Sequence, residues 1–153
     1  MREIEFRGKP YGKHTRQGAV YQEDFWVYGG IDDLGFGPII CNECDRWKVV
    51  PETVGQYTGM KDKDGVKIYE GDVVESVVLR VPRYCMESER RFGVVKWERD
   101  VAAFRIFRDD GRAPDDSLEL FRGHRLTVKG NIFDDPVLKK RYGDIYFMEI
   151  TND

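Results

Sequence analysis

Cys41 and Cys44, in the run Cys41-Asn42-Glu43-Cys44, are the two side chains best spaced to grip a metal ion. Thiolates two residues apart can hold one zinc from a tight turn, but a closed structural site needs four ligands. Cys85, His14 and His124 would have to come together to complete it, and no second Cys-x-x-Cys follows. Two ordinary cysteines beside a loop are the better reading, and no metal is assigned. A thioredoxin-type role would require a βαβ setting, which the flanking sequence does not supply.

Other chemistry is sparse. Gly8-Lys9-Pro10-Tyr11-Gly12-Lys13-His14-Thr15 has the glycines and lysine of a phosphate loop. Its spacing is one residue short, His follows the lysine, and no strand-then-helix pattern surrounds it, so a polar surface loop is expected. Ser76, Ser88 and Ser117 are the only serines, and none lies in a Gly-x-Ser-x-Gly elbow. Asp109-Asp110 and Asp115-Asp116 lack the alternate-residue spacing of a calcium loop and read as solvated turns. No catalytic residue and no cofactor is assigned.

Basic residues cluster locally. Arg80, Arg83, Arg90, Arg91, Lys96 and Arg99 share one stretch with Tyr84, Phe92 and Trp97, and Arg122, His124, Arg125 and Lys129 share another beside Phe121. Contact with a partner is assigned to Arg83, Arg90, Arg91 and Trp97. The alternative is nucleic-acid binding through Arg80, Arg83, Arg91, Lys96 and Arg99, with cations on phosphates and aromatic faces on bases. Glu87, Glu89, Glu98 and Asp100 dilute the patch, so a solvated face competes with both readings. Trp26, Trp47 and Trp97 lie on or beside expected strands, where core packing comes first and interface anchoring second.

Positioning any of these requires a fold, and the composition favours β-structure. The chain has 153 residues, 41% hydrophobic, 35% charged and 13% aromatic, with a net charge of −3. That is a globular balance with a heavily charged surface, and it argues against a globally basic nucleic-acid binder. No stretch shows sustained helical spacing. The first residues have no apolar segment of leader length, and no run approaches ~18 apolar residues, so neither export nor a membrane span is expected. Three cysteines cannot all pair, which suits the reducing cytoplasm.

Arg2 to Arg7 alternates as a half-buried strand, with Ile4 and Phe6 on one face. Residues 8–18 are expected to be a loop, Ala19 to Tyr28 a strand ended by a turn at Gly29-Gly30, and Ile39-Ile40 and Trp47 to Val50 short strands. Asp64-Gly65 predicts a hairpin turn and Gly71-Asp72 a second. Val73 to Leu79 is a strand, Arg80 to Arg91 with Pro82 a long excursion, and Phe92 to Glu98 a strand again. Ala103 to Phe107, Leu118 to Leu120 and Leu126 to Val128 follow, with a turn at Asp109-Asp110-Gly111. Asp134-Asp135-Pro136 predicts a capped helix start, Lys139-Lys140-Arg141 its last turn and Gly143 its end, about two turns in all.

The stretch Val50-Pro51-Glu52-Thr53-Val54-Gly55-Gln56-Tyr57-Thr58-Gly59, continuing through Lys61-Asp62, Asp64-Gly65 and Ile68-Tyr69-Glu70-Gly71-Asp72, resembles the YopX family of phage and prophage proteins. Gly130-Asn131-Ile132-Phe133-Asp134-Asp135-Pro136 resembles its second motif, and Arg2 to Gly8 with Trp26, Tyr28 and Gly29 fits its opening. The resemblance implies a phage or prophage origin, an SH3-like β-barrel and a homo-oligomer, and it carries no assigned activity. The expected architecture is mainly β: an N-terminal β segment (residues 1–54), an SH3-like barrel (55–133) and a short helix with a strand or tail (134–153). The expected function is a self-associating binding or scaffolding module for a phage or host protein; an unrecognised enzyme is a further alternative.

Overall fold

Runs of β-branched and aromatic residues broken by glycine turns become antiparallel strands. The computed structural model describes residues 3–11, 25–33, 35–80, 83, 87–113 and 125–148. Among them are ten strands and one α-helix, and the chain divides into two units, Met1–Gly59 and Met60–Asp153. None of the described helices is long and apolar enough to cross a membrane.

In the first unit lie β1 (Phe6–Gly8), β2 (Val27–Asp33), β3 (Pro38–Cys41), β4 (Arg46–Lys48) and the start of β5 (Gly55–Lys61), in the order β4-β3-β2-β1-β5. A 3-10 turn at Pro51–Thr53 precedes β5. Val27, Ile40 and Val49 form the core, with Phe6, Trp47 and Val54 packed against it. Ile4 does not share that face: it is 66% exposed, and strand pairing starts only at Phe6.

Gly29-Gly30 does not end β2. The strand runs through both glycines because the backbone of β3 crosses so close that a Cβ on Gly29 would sit 2.0 Å from the Cys41 carbonyl oxygen. Glycine here permits a close approach, a signal local sequence does not separate from a turn.

In the second unit, β6 (Lys67–Tyr69) pairs with the end of β5, and β7 (Asp72–Arg80), β8 (Glu87–Glu98), β9 (Ala103–Phe107) and β10 (Leu126–Asn131) form a sheet in the order β10-β7-β8-β9. The described pairings run as open sheets, so the closure of an SH3-like barrel is not among them. Both predicted turns form. Gly65, at φ +83°, donates to the Asp62 carbonyl at 3.1 Å. Gly71, at φ +85°, donates to Val95 and accepts from Ile132, and a Cβ there would lie 2.8 Å from the Phe133 ring. The two motif stretches around Gly71 and Phe133 therefore meet. The excursion expected over Arg80 to Arg91 is shorter than that range, because β7 and β8 stay paired out to Arg80 opposite Glu87.

Alternation along this sheet serves two cores. Val74, Val95, Phe104, Ile106, Leu126 and Ile68 pack on one face. Val73, Val94 and Phe107 pack on the other with Ile132 and Tyr142, the latter from helix α1 (Pro136–Phe147). Burial raises the pKa of the Tyr142 phenol, more than the neighbouring Arg141 charge lowers it.

The helix starts as its sequence predicts. The Asp135 carboxylate accepts from the Val137 and Leu138 amides, and Pro136 takes the first helical position. Gly143 does not end it: the helix continues to Phe147, past a glycine that is itself buried, because Ile145 and Tyr146 still have a core to pack against. A Cβ on Gly143 would make only an ordinary contact, 3.7 Å from Lys139 Cγ. Gly143→Ala is therefore expected to stabilise the protein by about 0.5–1 kcal/mol, read as a higher urea midpoint with an unchanged slope.

The expected strand at Leu118 to Leu120, most of the loop 8–18, and the expected strand residues before Phe25 lie outside the described residues.

Candidate binding arm

Among the described residues, β7 and β8 outlast their neighbours. β10 leaves β7 at Leu126, opposite Ser76, and β9 leaves β8 at Phe107, opposite Val94. Beyond those points Val77 to Arg80 and Glu87 to Arg90 continue as a two-stranded arm paired through the register Val77 to Arg90 and Arg80 to Glu87. Residues 77–91 carry Arg80, Arg83, Arg90 and Arg91 against Glu87 and Glu89, a local positive excess in a chain of net charge −3.

Alternation separates the two adjacent arginines. Arg90 lies on the face of Glu75, its Nε 3.6 Å from Glu75 Oε1, while Lys129 Nζ is 3.2 Å from Oε2. The Arg90 side chain is 73% exposed, so this pair adds little to stability and leaves the guanidinium accessible. Val77 and Phe92 are partly exposed. Arg91 lies on the other face from Arg90, opposite Ser76, where its Nη2 is 3.2 Å from Glu89 Oε2. Its Nε is buried with no hydrogen-bond partner among the described residues. Arg83 is exposed beyond the strands.

Trp97 is not part of this arm. It shares a face with Arg91 but lies six residues further along β8, roughly 20 Å away, with its ring edge-to-face on Phe104 at 4.9 Å. The nucleic-acid set divides the same way. Arg80, Arg83 and Arg91 belong to the arm, while Lys96 and Arg99 lie toward the opposite end of β8. Lys96 is also occupied within the fold, since its ammonium donates to the Ile145 carbonyl at 3.1 Å and to that of Met148. These carbonyls lie at the C-terminal end of α1, where a cation meets the negative end of the helix dipole. Lys139, Lys140 and Arg141, expected in the last turn, lie mid-helix instead, so β8 supplies the terminal cation.

The Cys41–Cys44 turn closes on hydrogen bonds. Asn42 Oδ1 accepts from the amides of Cys44 at 3.0 Å and Asp45 at 2.8 Å. Cys41 is half-buried and Cys44 exposed, both as free thiols. Among the described residues no three His, Cys, Asp or Glu side chains converge. His14, Cys85 and His124 lie outside the described residues.

One arrangement goes beyond what the sequence led us to expect. Lys9, expected in a polar surface loop, is 0% exposed, and Arg7 is 6% exposed. Phe6 packs against the first unit's core, while Arg7 Cζ lies 4.5 Å and Lys9 Nζ 5.1 Å from the centre of the Trp26 ring. The backbone of Lys9 is fixed as well, with its amide donating to Thr53 Oγ1 and its carbonyl accepting from Val50. The spacing of two between Arg7 and Lys9 was the available signal, since it puts both on one side of an extended chain.

The protein EF1440 from Enterococcus faecalis, a solved structure, is similar over 90% of this chain and 99% of its own, at 16% identity and a TM-score of 0.41. No curated protein matches the chain. A match to the family described as YopX protein spans residues 16–139, taking in both motif stretches that meet at Gly71 and Phe133. The chain therefore belongs to the YopX protein family.

Proposed function

We propose that this YopX-family protein is a phage- or prophage-encoded module that binds its partner without transforming it, associates with itself, and makes contact through the β7–β8 arm in the cytoplasm of the host bacterium. Residues 55–133 are read as an SH3-like unit, with residues 1–54 as an N-terminal β segment whose β1 pairs with the start of β5. The observation that carries the proposal is the arm itself. It extends past both flanking strands and gathers Arg83, Arg90 and Arg91, with Val77 and Phe92 partly exposed along it.

Nucleic acid is the less favoured partner, because Lys96 is engaged by the α1 carbonyls and Arg99 lies far from the arm. The test is affinity purification of tagged protein from infected or induced cells, comparing wild type with Arg83→Glu on the arm and Arg99→Glu away from it. A protein partner retained by wild type and by Arg99→Glu, but reduced about tenfold by Arg83→Glu, supports the reading; that loss is ~1.4 kcal/mol of binding. Equal retention by all three overturns the arm as the contact. Salt-sensitive DNA binding, weakened by both substitutions, would shift the assignment to nucleic acid.

A further inference from the structure

We propose that self-association runs through the outer face of α1: two copies of this chain pair their helices antiparallel, with Arg141 of each facing Asp144 of the other. This rests on the self-association reading above and gives it a surface, leaving the arm to the other partner. Tyr142, Ile145 and Tyr146 turn the inner face of α1 to the second unit's core. The outer face carries Val137, Arg141 and Asp144, with Met148 at the C-cap, spaced four, three and four residues apart. That is the spacing of a coiled-coil seam, and it keeps all four within a stripe about 60° wide. All four are exposed, Val137 by 71% and Met148 by 56%.

The stripe complements itself in one direction and one register. A two-fold axis crossing α1 between Tyr142 and Gly143 levels Arg141 with Asp144 of the partner subunit, twice by symmetry. It also levels Val137 with Met148 of the partner subunit, so two ion pairs sit at the centre and an apolar contact closes each end. A parallel pairing sets Arg141 against Arg141 and Asp144 against Asp144. Sliding the axis to Asp144 brings two carboxylates face to face, and sliding it to Arg141 brings two guanidinium groups together. The antiparallel arrangement also sets the two helix dipoles side by side in opposite directions, which is their favourable alignment.

The central pair is prepared within each chain. Arg141 Nε and Nη2 donate to Asp109 Oδ2 at 3.0 and 2.8 Å, while the side chain stays 57% exposed. A guanidinium carries five donors in a fixed fork, so Arg141 can serve Asp109 and the partner subunit's Asp144 together. A side chain already held in place loses less freedom on association. Lys140 and Phe147, both exposed, flank the stripe on one side. Across the axis the alkyl stem of each Lys140 covers the ring of Phe147 of the partner subunit. Two helices of 12 residues make a small interface, so the dimer is expected in the micromolar range and not below it.

The test reads the register. In protein with Cys41, Cys44 and Cys85 each replaced by Ser, one chain carries Val137→Cys and another Met148→Cys. Facing positions on packed helices have Cα atoms about 5–7 Å apart, within disulfide reach. Two copies of the same variant hold their thiols roughly 16 Å apart along the helices, beyond reach. Mild oxidation of the mixture is expected to give a covalent dimer of one chain of each kind, and oxidation of either variant alone to give none. Sedimentation of the otherwise unmodified chain completes the test. Asp144→Arg and Arg141→Glu are each expected to weaken the dimer at least about tenfold, and mixing the two to restore it, because every facing pair is then of opposite charge. A wild-type dimer whose cysteine mixture cross-links no better than either variant alone overturns the helix face while leaving self-association standing. A different protein lost on Val137→Asp while the dimer persists gives the face to that partner and overturns the pairing. A wild-type chain that stays monomeric throughout the micromolar range overturns the pairing and self-association together.

Discussion

Replacing Gly93 by alanine is expected to cost about 3 kcal/mol of folding stability, at the upper end of the usual range for overpacking. Gly93 sits in β8 opposite Val74, and a Cβ there would lie 2.4 Å from Ile106 Cγ2 and 2.8 Å from the Phe107 carbonyl oxygen. Neither neighbour yields cheaply. Ile106 is 7% exposed in a core with Val95 and Phe104, and Phe107 packs on the opposite core beside Tyr142. Relief requires β9 to move away from β8, disturbing both cores at once. Thermal unfolding followed by tryptophan fluorescence is expected to show a midpoint lower by roughly 10 °C. The double variant Gly93→Ala with Ile106→Ala should not recover, since the Phe107 carbonyl belongs to the backbone and the second truncation adds a cavity. A wild-type midpoint for Gly93→Ala would mean that β8 and β9 are not packed this closely.

What can be read from sequence follows the range of the interactions involved. The turns at Gly65 and Gly71 are legible because a left-handed backbone position is settled within a few residues. The start of α1 is legible because Asp135 and Pro136 satisfy the first helical amides on their own. Gly29 and Gly143 look like breaks in the sequence because their roles depend on what lies beside them, the Cys41 carbonyl in one case and the second unit's core in the other. Lys96 joins a basic patch on local grounds, and only the return of α1, 49 residues later, gives its ammonium carbonyls to bind. The arm shows the limit most plainly. The run from Glu87 to Arg91 is polar throughout and shows no apolar–polar alternation, so it resembles a charged loop although every one of these residues sits opposite a β7 residue.

The same distinction sets the expected behaviour of Asp62, which a local reading casts as one more acidic turn residue. Asp62 is only 6% exposed, and its two carboxylate oxygens accept three backbone hydrogen bonds. Oδ1 takes the amides of Asp64 and Val66, both at 2.9 Å, closing the hairpin turn. Oδ2 takes the amide of Val128 at 3.1 Å, binding that turn to β10. Burial pushes the carboxyl pKa up, but the Val128, Val66 and Asp64 amides together with the Lys63 charge outweigh it, and the net shift is downward. The unfolded chain has an ordinary aspartate value of about 3.9. Between the folded and unfolded values the unfolded state holds more protons, so stability rises with pH there. The contribution of Asp62 is fully present above the unfolded value and is lost as pH falls through the lower, folded one. Asp62→Asn keeps an acceptor for the turn but turns an NH2 toward the Val128 amide, leaving a buried donor unmet. At neutral pH it should cost about 2–3 kcal/mol. The gap between the urea midpoints of wild type and Asp62→Asn, followed downward from neutrality, should narrow below about pH 4, because the other carboxylates titrate alike in both proteins. Curves that stay parallel down to the lowest pH would show that the Asp62 charge does not hold β10 to the turn.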